Sequence, residues 1–243
     1  MVHQTHMIPK IIHYCWFGRG EMPELAWKCI ESWHKHMPEY KYKLWNEDVF
    51  DLNSNQYVKE AYEAKKYAFV TDYVRLFALY TEGGIYMDTD VEVLKPYDDL
   101  LCLSGFTGYE GSKYHPPVTG TMASEKGGEW VKEQLDAYDG IHFLLPDGSY
   151  NMTTNTVRIA QVMKAGGFIP DGKKQVYKGM SIFPTEFFCP RQTTGEILIT
   201  KDTYCDHHFM GSWEDKKKNS FLKYIIGQKN ITRLIKIKRA LLG

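Results

Sequence analysis

The stretch GGIYMDTDVEV (83–93) sets two carboxylates, Asp88 and Asp90, on either side of Thr89 after a short apolar run. On a strand, residues two apart share a face, so both side chains point the same way if the strand continues to Asp90. Carboxylates so close repel each other. A divalent cation removes that penalty, and hard ions such as Mg²⁺ or Mn²⁺ take oxygen ligands and keep positions open for substrate phosphates. A calcium loop of the EF-hand kind fits poorly, because Val93 stands where its sixth-position glycine belongs. The plain alternative is a solvated turn between two strands. Upstream, Asp72 and Arg75 are spaced to lie side by side on a helix. Their plain alternative is a surface ion pair.

These residues need elements to hold them. Ile8 to Trp16 reads as a buried strand, followed by a loop with Gly18 and Gly20. Pro23 opens a helix whose Leu25, Cys29 and Trp33 share a face. Tyr40 to Leu44 reads as a second strand, with Asn46 as a helix cap after it. Residues 57–66 have helical composition. A helix over about 71–81 buries Val74, Phe77 and Ala78, and Gly83-Gly84 stops it, since glycine accepts the left-handed conformation. Ile85 to Met87 is then a strand, resumed from Val91 to Leu94. Helices follow near 128–138 and 154–165, and Ile197 to Ile199 reads as a late strand. Strands alternating with helices predict an α/β sheet flanked by helices. Ligands of such sheets gather at the carboxyl ends of strands, where Asp88 and Asp90 fall.

The 243 residues, 43% of them apolar, suffice for a sizeable core. Thirty Lys/Arg balance thirty Asp/Glu, which gives no reason to expect a nucleic-acid partner. The balance is uneven along the chain. Residues 216–243 hold nine Lys/Arg and no acid, which leaves 21 basic against 30 acidic residues before them, a net of −9. The predicted organisation is a catalytic domain over 1–215 and a basic amphipathic tail over 216–243. Five scattered cysteines without CxxC spacing argue against a zinc ribbon and for free thiols in a reducing compartment. The start, MVHQTHMIPK, shows no long apolar run, so neither a secretory leader nor a membrane span is expected. The expected location is cytoplasmic.

AFVTDYVRLFALYTEGGIYMDTDVEVL (68–94) resembles the core motif of DXD-type sugar transferases, and in particular glycosyltransferase family 32. That group includes fungal initiating mannosyltransferases and bacterial capsule and exopolysaccharide enzymes. IPKIIHYCWFG (8–18) resembles the same family's first strand, and HHFMGSW (207–213) its C-terminal motif. The resemblance implies a GT-A-type fold with a mixed, mostly parallel central sheet. It also implies Mn²⁺ or Mg²⁺, a nucleotide-sugar donor and transfer with retention. Under it, Trp16 stacks on or borders the base, or is a core aromatic. Asp72 holds sugar hydroxyls, and Arg75 binds the sugar or diphosphate. Asp88 touches the ribose or the metal, and Asp90 is the main metal ligand. A histidine completes the set, with His208 preferred on the likeness of HFMG and His207 as the alternative. Ser212 and Trp213 close over the phosphate or sugar, unless Trp213 only packs the domain. Thr154 and Asn155 either meet the substrate at a helix N-terminus or merely cap that helix.

The donor is UDP- or GDP-linked, and the acceptor is a saccharide or lipid-linked saccharide, with surface polysaccharide synthesis as the expected setting. No residue stands out as a nucleophile, which favours same-face attack. In the tail, Ile231, Leu234, Ile235, Leu241 and Leu242 fall near one helical face among Lys and Arg. Such a helix either lies on an anionic membrane's inner face or packs on the domain. The competing readings are a nucleotidyltransferase, for which no GxxxxGK[ST] or GxGxxG loop is present, and a non-catalytic nucleotide-sugar-binding protein.

Overall fold

Five of the seven strands in the central sheet run in one direction, and this decides which edge can collect functional groups. The computed structural model describes residues 7–110, 117–191 and 197–210. In chain order the strands are β1 (Ile11–Cys15), β2 (Lys41–Trp45), β3 (Gly84–Met87), β4 (Val91–Val93), β5 (Gly105–Gly108), β6 (Thr121–Ser124), β7 (Gln175–Tyr177), β8 (Met180–Phe183) and β9 (Cys205–His207). The helices are α1 (Glu24–His36), α2 (Gln56–Glu63), α3 (Tyr67–Glu82), α4 (Glu129–Asp136), α5 (Asn155–Ala165) and the short α6 (Thr185–Phe188). The sheet order is β2-β1-β3-β6-β5-β8-β7, and β4 and β9 form a separate two-stranded ribbon.

β1 pairs parallel with β2 and β3, and β5 pairs parallel with β8. β6 runs antiparallel between β3 and β5, and β7 runs antiparallel at the edge. The α/β class and the mixed, mostly parallel sheet therefore match the GT-A-type expectation. The carboxyl ends of β1, β3 and β5 and the start of β6 share one edge. Trp16, Asp88, Glu110 and Gly120 follow or precede those strand ends.

Alternation along the strands divides the core into two layers. Ile85 and Met87 of β3 face the layer holding Ile30 and Trp33 of α1. Tyr86 faces the other, with Val70 and Val74 of α3 and Tyr57 of α2. α3 leads into β3 through Gly83, whose φ is +70° and whose amide closes the helix on the Leu79 carbonyl. Gly84 follows at φ +112°, where a Cβ would lie 2.6 Å from the Ile11 carbonyl oxygen. The turn reverses the chain, so the N-terminal half of α3 lies beside the carboxyl end of β3.

Several expectations need correcting. α3 begins at Tyr67, four residues before the predicted start, because Phe69 and Val70 are core residues that extend its apolar face. Asn46 caps no helix; its side chain accepts the Asp48 amide in a turn. Ile197 to Ile199 form no strand. They are exposed, and only Ile197 makes an isolated bridge, to Arg191. The late strand is β9, a CDH sequence without apolar alternation. All five cysteines are free thiols. Among the described residues, no helix is long and apolar enough to cross a membrane. The tail over 216–243, and with it the predicted domain boundary, lies outside the described residues, as do Ser212 and Trp213.

Candidate active site

β3 ends at Met87, so Asp88, Thr89 and Asp90 form a turn into β4 and not a continuing strand. The turn is closed by the Val91 amide donating to the Asp88 carbonyl at 3.0 Å. It is not solvated: Asp90 is 8% exposed and Thr89 9%. Both carboxylates are nonetheless turned toward one point. The β4–β9 ribbon sets His207 opposite Val91, and His207 Nε2 lies 3.2 Å from Asp90 Oδ1 and 4.0 Å from Asp88 Oδ2. Asp88, Asp90 and His207 each offer one ligand atom, all within 4.8 Å of one another. Two carboxylate oxygens and an imidazole nitrogen are a donor set that suits Mn²⁺ or Mg²⁺.

The geometry reverses the preference between the two histidines. Successive residues of an extended chain point to opposite sides. His208 therefore faces away from the carboxylate pair, with Nε2 2.8 Å from Glu92 Oε2 and Nδ1 3.1 Å from Arg191 Nη2. Its backbone amide still helps, donating to the Asp90 carbonyl at 3.0 Å.

Arg75 ties the helix to the turn. Its Nη2 is 3.2 Å from Asp72 Oδ1 and 3.2 Å from Asp88 Oδ1. Asp72 and Arg75 are each 8% exposed, so this is a buried network and not a surface pair. The guanidinium also sits over the Tyr86 ring, 4.7 Å from its centroid, and the Tyr86 hydroxyl donates to Asp88 Oδ1 at 2.9 Å. Asp72 turns its other oxygen toward α5, where Oδ2 accepts the Asn155 amide at 3.1 Å. A carboxylate from α3 thus satisfies an orphan donor of the α5 N-terminus, where negative charge is favoured. Thr154 occupies the cap position but makes no capping bond, its hydroxyl instead pairing with Thr156 at 3.1 Å. Trp16 is half-buried at the end of β1, its indole donating to the Gly20 carbonyl.

The charges here are strongly conditioned by burial. Burial raises the Asp72 carboxyl to about 6, against the opposing charge of Arg75. Burial also works against ionised Asp90, but the hydrogen bond from His207 and the Met210 amide hold its carboxyl below the usual range. Burial disfavours charged His207, yet Asp90 and Asp88 outweigh it and hold the imidazole well above its ordinary value.

Four contributors escape sequence reasoning. Tyr86 reads as one more apolar residue of a buried strand. Gly120 carries no functional group, yet its carbonyl accepts the Asp88 amide at 2.8 Å. Glu110 follows β5 at the same sheet edge; burial raises its carboxyl, and its field is coupled to His207, Asp88, Arg75 and Asp90. Arg158 lies one turn into α5.

Residues 23–106 match the family model described as a glycosyltransferase sugar-binding region containing a DXD motif. The chain is similar to inositol phosphoceramide mannosyltransferase 3 of Schizosaccharomyces pombe, 35% identical over 103 residues that span 41% of this chain and 29% of that protein. It is similar to mannosyl phosphorylinositol ceramide synthase SUR1 of Saccharomyces cerevisiae, 33% identical over 116 residues, 42% of this chain and 28% of that protein. The chain therefore spans less than a third of the length of these relatives. Among solved structures, the PaToxG glycosyltransferase superposes with a TM-score of 0.48 at 19% identity, covering 65% of this chain and 70% of that one. Over residues 23–106 the chain is therefore similar to the sugar-binding region of DXD-motif glycosyltransferases.

Proposed function

We propose that the protein is a metal-dependent glycosyltransferase that moves a sugar from a nucleotide-sugar donor to a saccharide or lipid-linked saccharide acceptor. The observation that carries this reading is the convergence of Asp88, Asp90 and His207 beside the buried Arg75. Asp90, Asp88 and His207 would hold Mn²⁺ or Mg²⁺, which when bound supplies Lewis-acid stabilisation to the leaving diphosphate. The neighbouring carboxylates of Asp90 and Asp88 favour a proton on His207, and a metal bound there would replace it.

The remaining work falls to the chain's own groups. Arg75 offers a planar guanidinium to the diphosphate, with Tyr86 fixing its plane from below. Asp72 accepts from sugar hydroxyls, with Asn155 and Thr154 bounding that side, while Trp16 borders the base. Ser212 and Trp213 close the donor site. Transfer proceeds with retention by same-face attack, in which the departing phosphate takes the acceptor proton. The setting is surface polysaccharide synthesis in the cytoplasm, with residues 216–243 as a basic tail on an anionic membrane face.

The test is a screen of UDP- and GDP-sugars with Mn²⁺, mannosyl donors first because both fungal relatives are named for mannose transfer. Nucleotide release that EDTA and Asp90→Ala both abolish is the expected result. Donor binding by calorimetry without release, in the presence of candidate acceptors, would replace the transferase by a non-catalytic nucleotide-sugar-binding protein.

A further inference from the structure

The ribbon that brings His207 to Asp90 is three residue pairs long, with Val91 opposite His207, Glu92 opposite Asp206 and Val93 opposite Cys205. A two-stranded pairing this short holds little stability of its own, and a slip of one residue would turn His207 away from the carboxylates. Something outside the ladder must fix its register. Cys205 and His207 share one face of β9, where the Cys205 thiol meets the Phe188 carbonyl at 3.4 Å. Asp206 and His208 share the other, and one guanidinium meets both. Arg191 Nη2 lies 2.7 Å from Asp206 Oδ2 and 3.1 Å from His208 Nδ1. An arginine cannot accept a hydrogen bond, so His208 Nδ1 accepts this one and Nε2 donates to Glu92 Oε2 at 2.8 Å. The chain of contacts from Asp206 through Arg191 and His208 to Glu92 therefore spans both strands. Asp206 is 5% exposed, so its ion pair escapes most of the screening that weakens surface pairs. Asp206 Oδ1 and Arg191 Nε are buried with no hydrogen-bond partner among the described residues, so the hold of this pair runs through Nη2.

We propose that Arg191 is a positioning residue that fastens Asp206 and His208 on one face of β9 and so fixes the register presenting His207, on the other face, to Asp90 and Asp88. The value of that register for function rests on the proposed reading of these three residues as a metal site; the fastening itself does not. The backbone around Arg191 is held in place for the task. Arg191 follows closely on α6, and the Tyr204 amide, at the entrance to β9, donates to the Phe187 carbonyl of that helix at 2.7 Å. The Leu198 amide returns to the Pro190 carbonyl at 2.9 Å, and Ile197 bridges to Arg191 itself. Of the two contacts that Arg191 makes on β9, the one to Asp206 is shorter and joins opposite charges, so the fastening survives loss of His208.

The experiment measures amide hydrogen exchange and Mn²⁺ affinity in the full chain as wild type, Arg191→Met and Arg191→Lys. Without metal, the His208 amide, which donates to the Asp90 carbonyl, should exchange about 10-fold faster in Arg191→Met, the scale of one lost charge-assisted bond. The Asp88 amide, which donates to the Gly120 carbonyl, should keep its rate. By calorimetry, Mn²⁺ affinity should fall by about 10-fold in Arg191→Met, the loss expected when a group behind a ligand is removed. It should largely recover in Arg191→Lys, whose ammonium can still pair with Asp206. In a His207→Ala background, Arg191→Met should lower the affinity no further, because its effect runs through His207. An unchanged His208 amide in folded Arg191→Met overturns the inference, and so does a loss of affinity that persists without His207. If Arg191→Met does not fold, Asp206→Asn is read in the same way. Faster His208 exchange with no Mn²⁺ binding, wild type included, would count against the metal reading and leave the role of Arg191 standing.

Discussion

Gly120 lies so close to Asp88 that a Cβ on it would stand 2.8 Å from Asp88 Oδ2 and 3.0 Å from His207 Cε1. Its backbone is not in the left-handed region, so alanine can adopt the conformation and only the space is lacking. Gly120→Ala should therefore fold normally and push two of the three candidate ligands apart. Mn²⁺ affinity should fall by about 10-fold or more, the scale seen when ligand orientation is disturbed. Titration calorimetry checks this, and wild-type affinity in the variant would show that the carboxylate moves aside freely.

The two neighbouring histidines should separate cleanly. His207→Ala removes a candidate ligand and should lower Mn²⁺ affinity by about 100-fold. His208→Ala removes only contacts to Glu92 and Arg191 and should change affinity by less than about 3-fold. The same calorimetric titration on both variants decides the assignment, and the opposite ranking would restore His208.

Asp72 should cost the fold stability at neutral pH. Its folded carboxyl titrates at about 6, above an ordinary aspartate in the unfolded chain. Between those values the folded state binds more protons than the unfolded one, so stability falls as pH rises from about 4 to 6. Asp72→Asn removes this slope and should be more stable than wild type at pH 7.5 by about 1–2 kcal/mol, while losing function. Urea denaturation at pH 5 and pH 7.5 gives the comparison; equal pH slopes in both proteins would contradict it.

Glu60 shows the opposite sign. Burial disfavours its charge, but Gln56, His142 and the amides of Leu144 and Phe143 all donate to it and bring it down to about 2. It pins the 142–151 hairpin to α2, with both amide contacts at 3.0 Å or less. Its contribution is complete above the unfolded value near 4.5 and is lost as pH falls toward 2. Glu60→Gln should cost about 1–2 kcal/mol at pH 7 and progressively less in acid. A cost that does not shrink between pH 7 and pH 3 would sink this account.

The local signals in the sequence were informative where one residue type has one physical use. Gly83-Gly84 marked the helix end, and the three-residue spacing of Asp72 and Arg75 placed them together. The Asp88-Thr89-Asp90 pair was legible as a pair, but its turn only as an alternative to a continuing strand and as a solvated one, because Val91 and Val93 continue the apolar alternation beyond it. Ile197 to Ile199 looked like a strand because apolar runs usually are, yet among the described residues only an isolated bridge from Ile197 to Arg191 pairs with them. β9 was invisible because Cys-Asp-His has no period to read. The order of the histidines depends on the register of β9 against β4, and a one-residue slip exchanges their faces. Tyr86 acts through geometry across elements, which no local pattern encodes.

The β4–β9 ribbon joins Val91 to His207 across most of the described chain. Pairing at such separation closes late, since the entropy of bringing distant segments together must be met before the contact rewards it. A nascent polypeptide that has emerged as far as β8 already owns every strand of the central sheet, but its two carboxylates face each other with no imidazole between them. Competence to bind a metal then arrives last, as the ribbon zips, so a translation product arrested before residue 205 would be a folded but silent protein and not a partly active one.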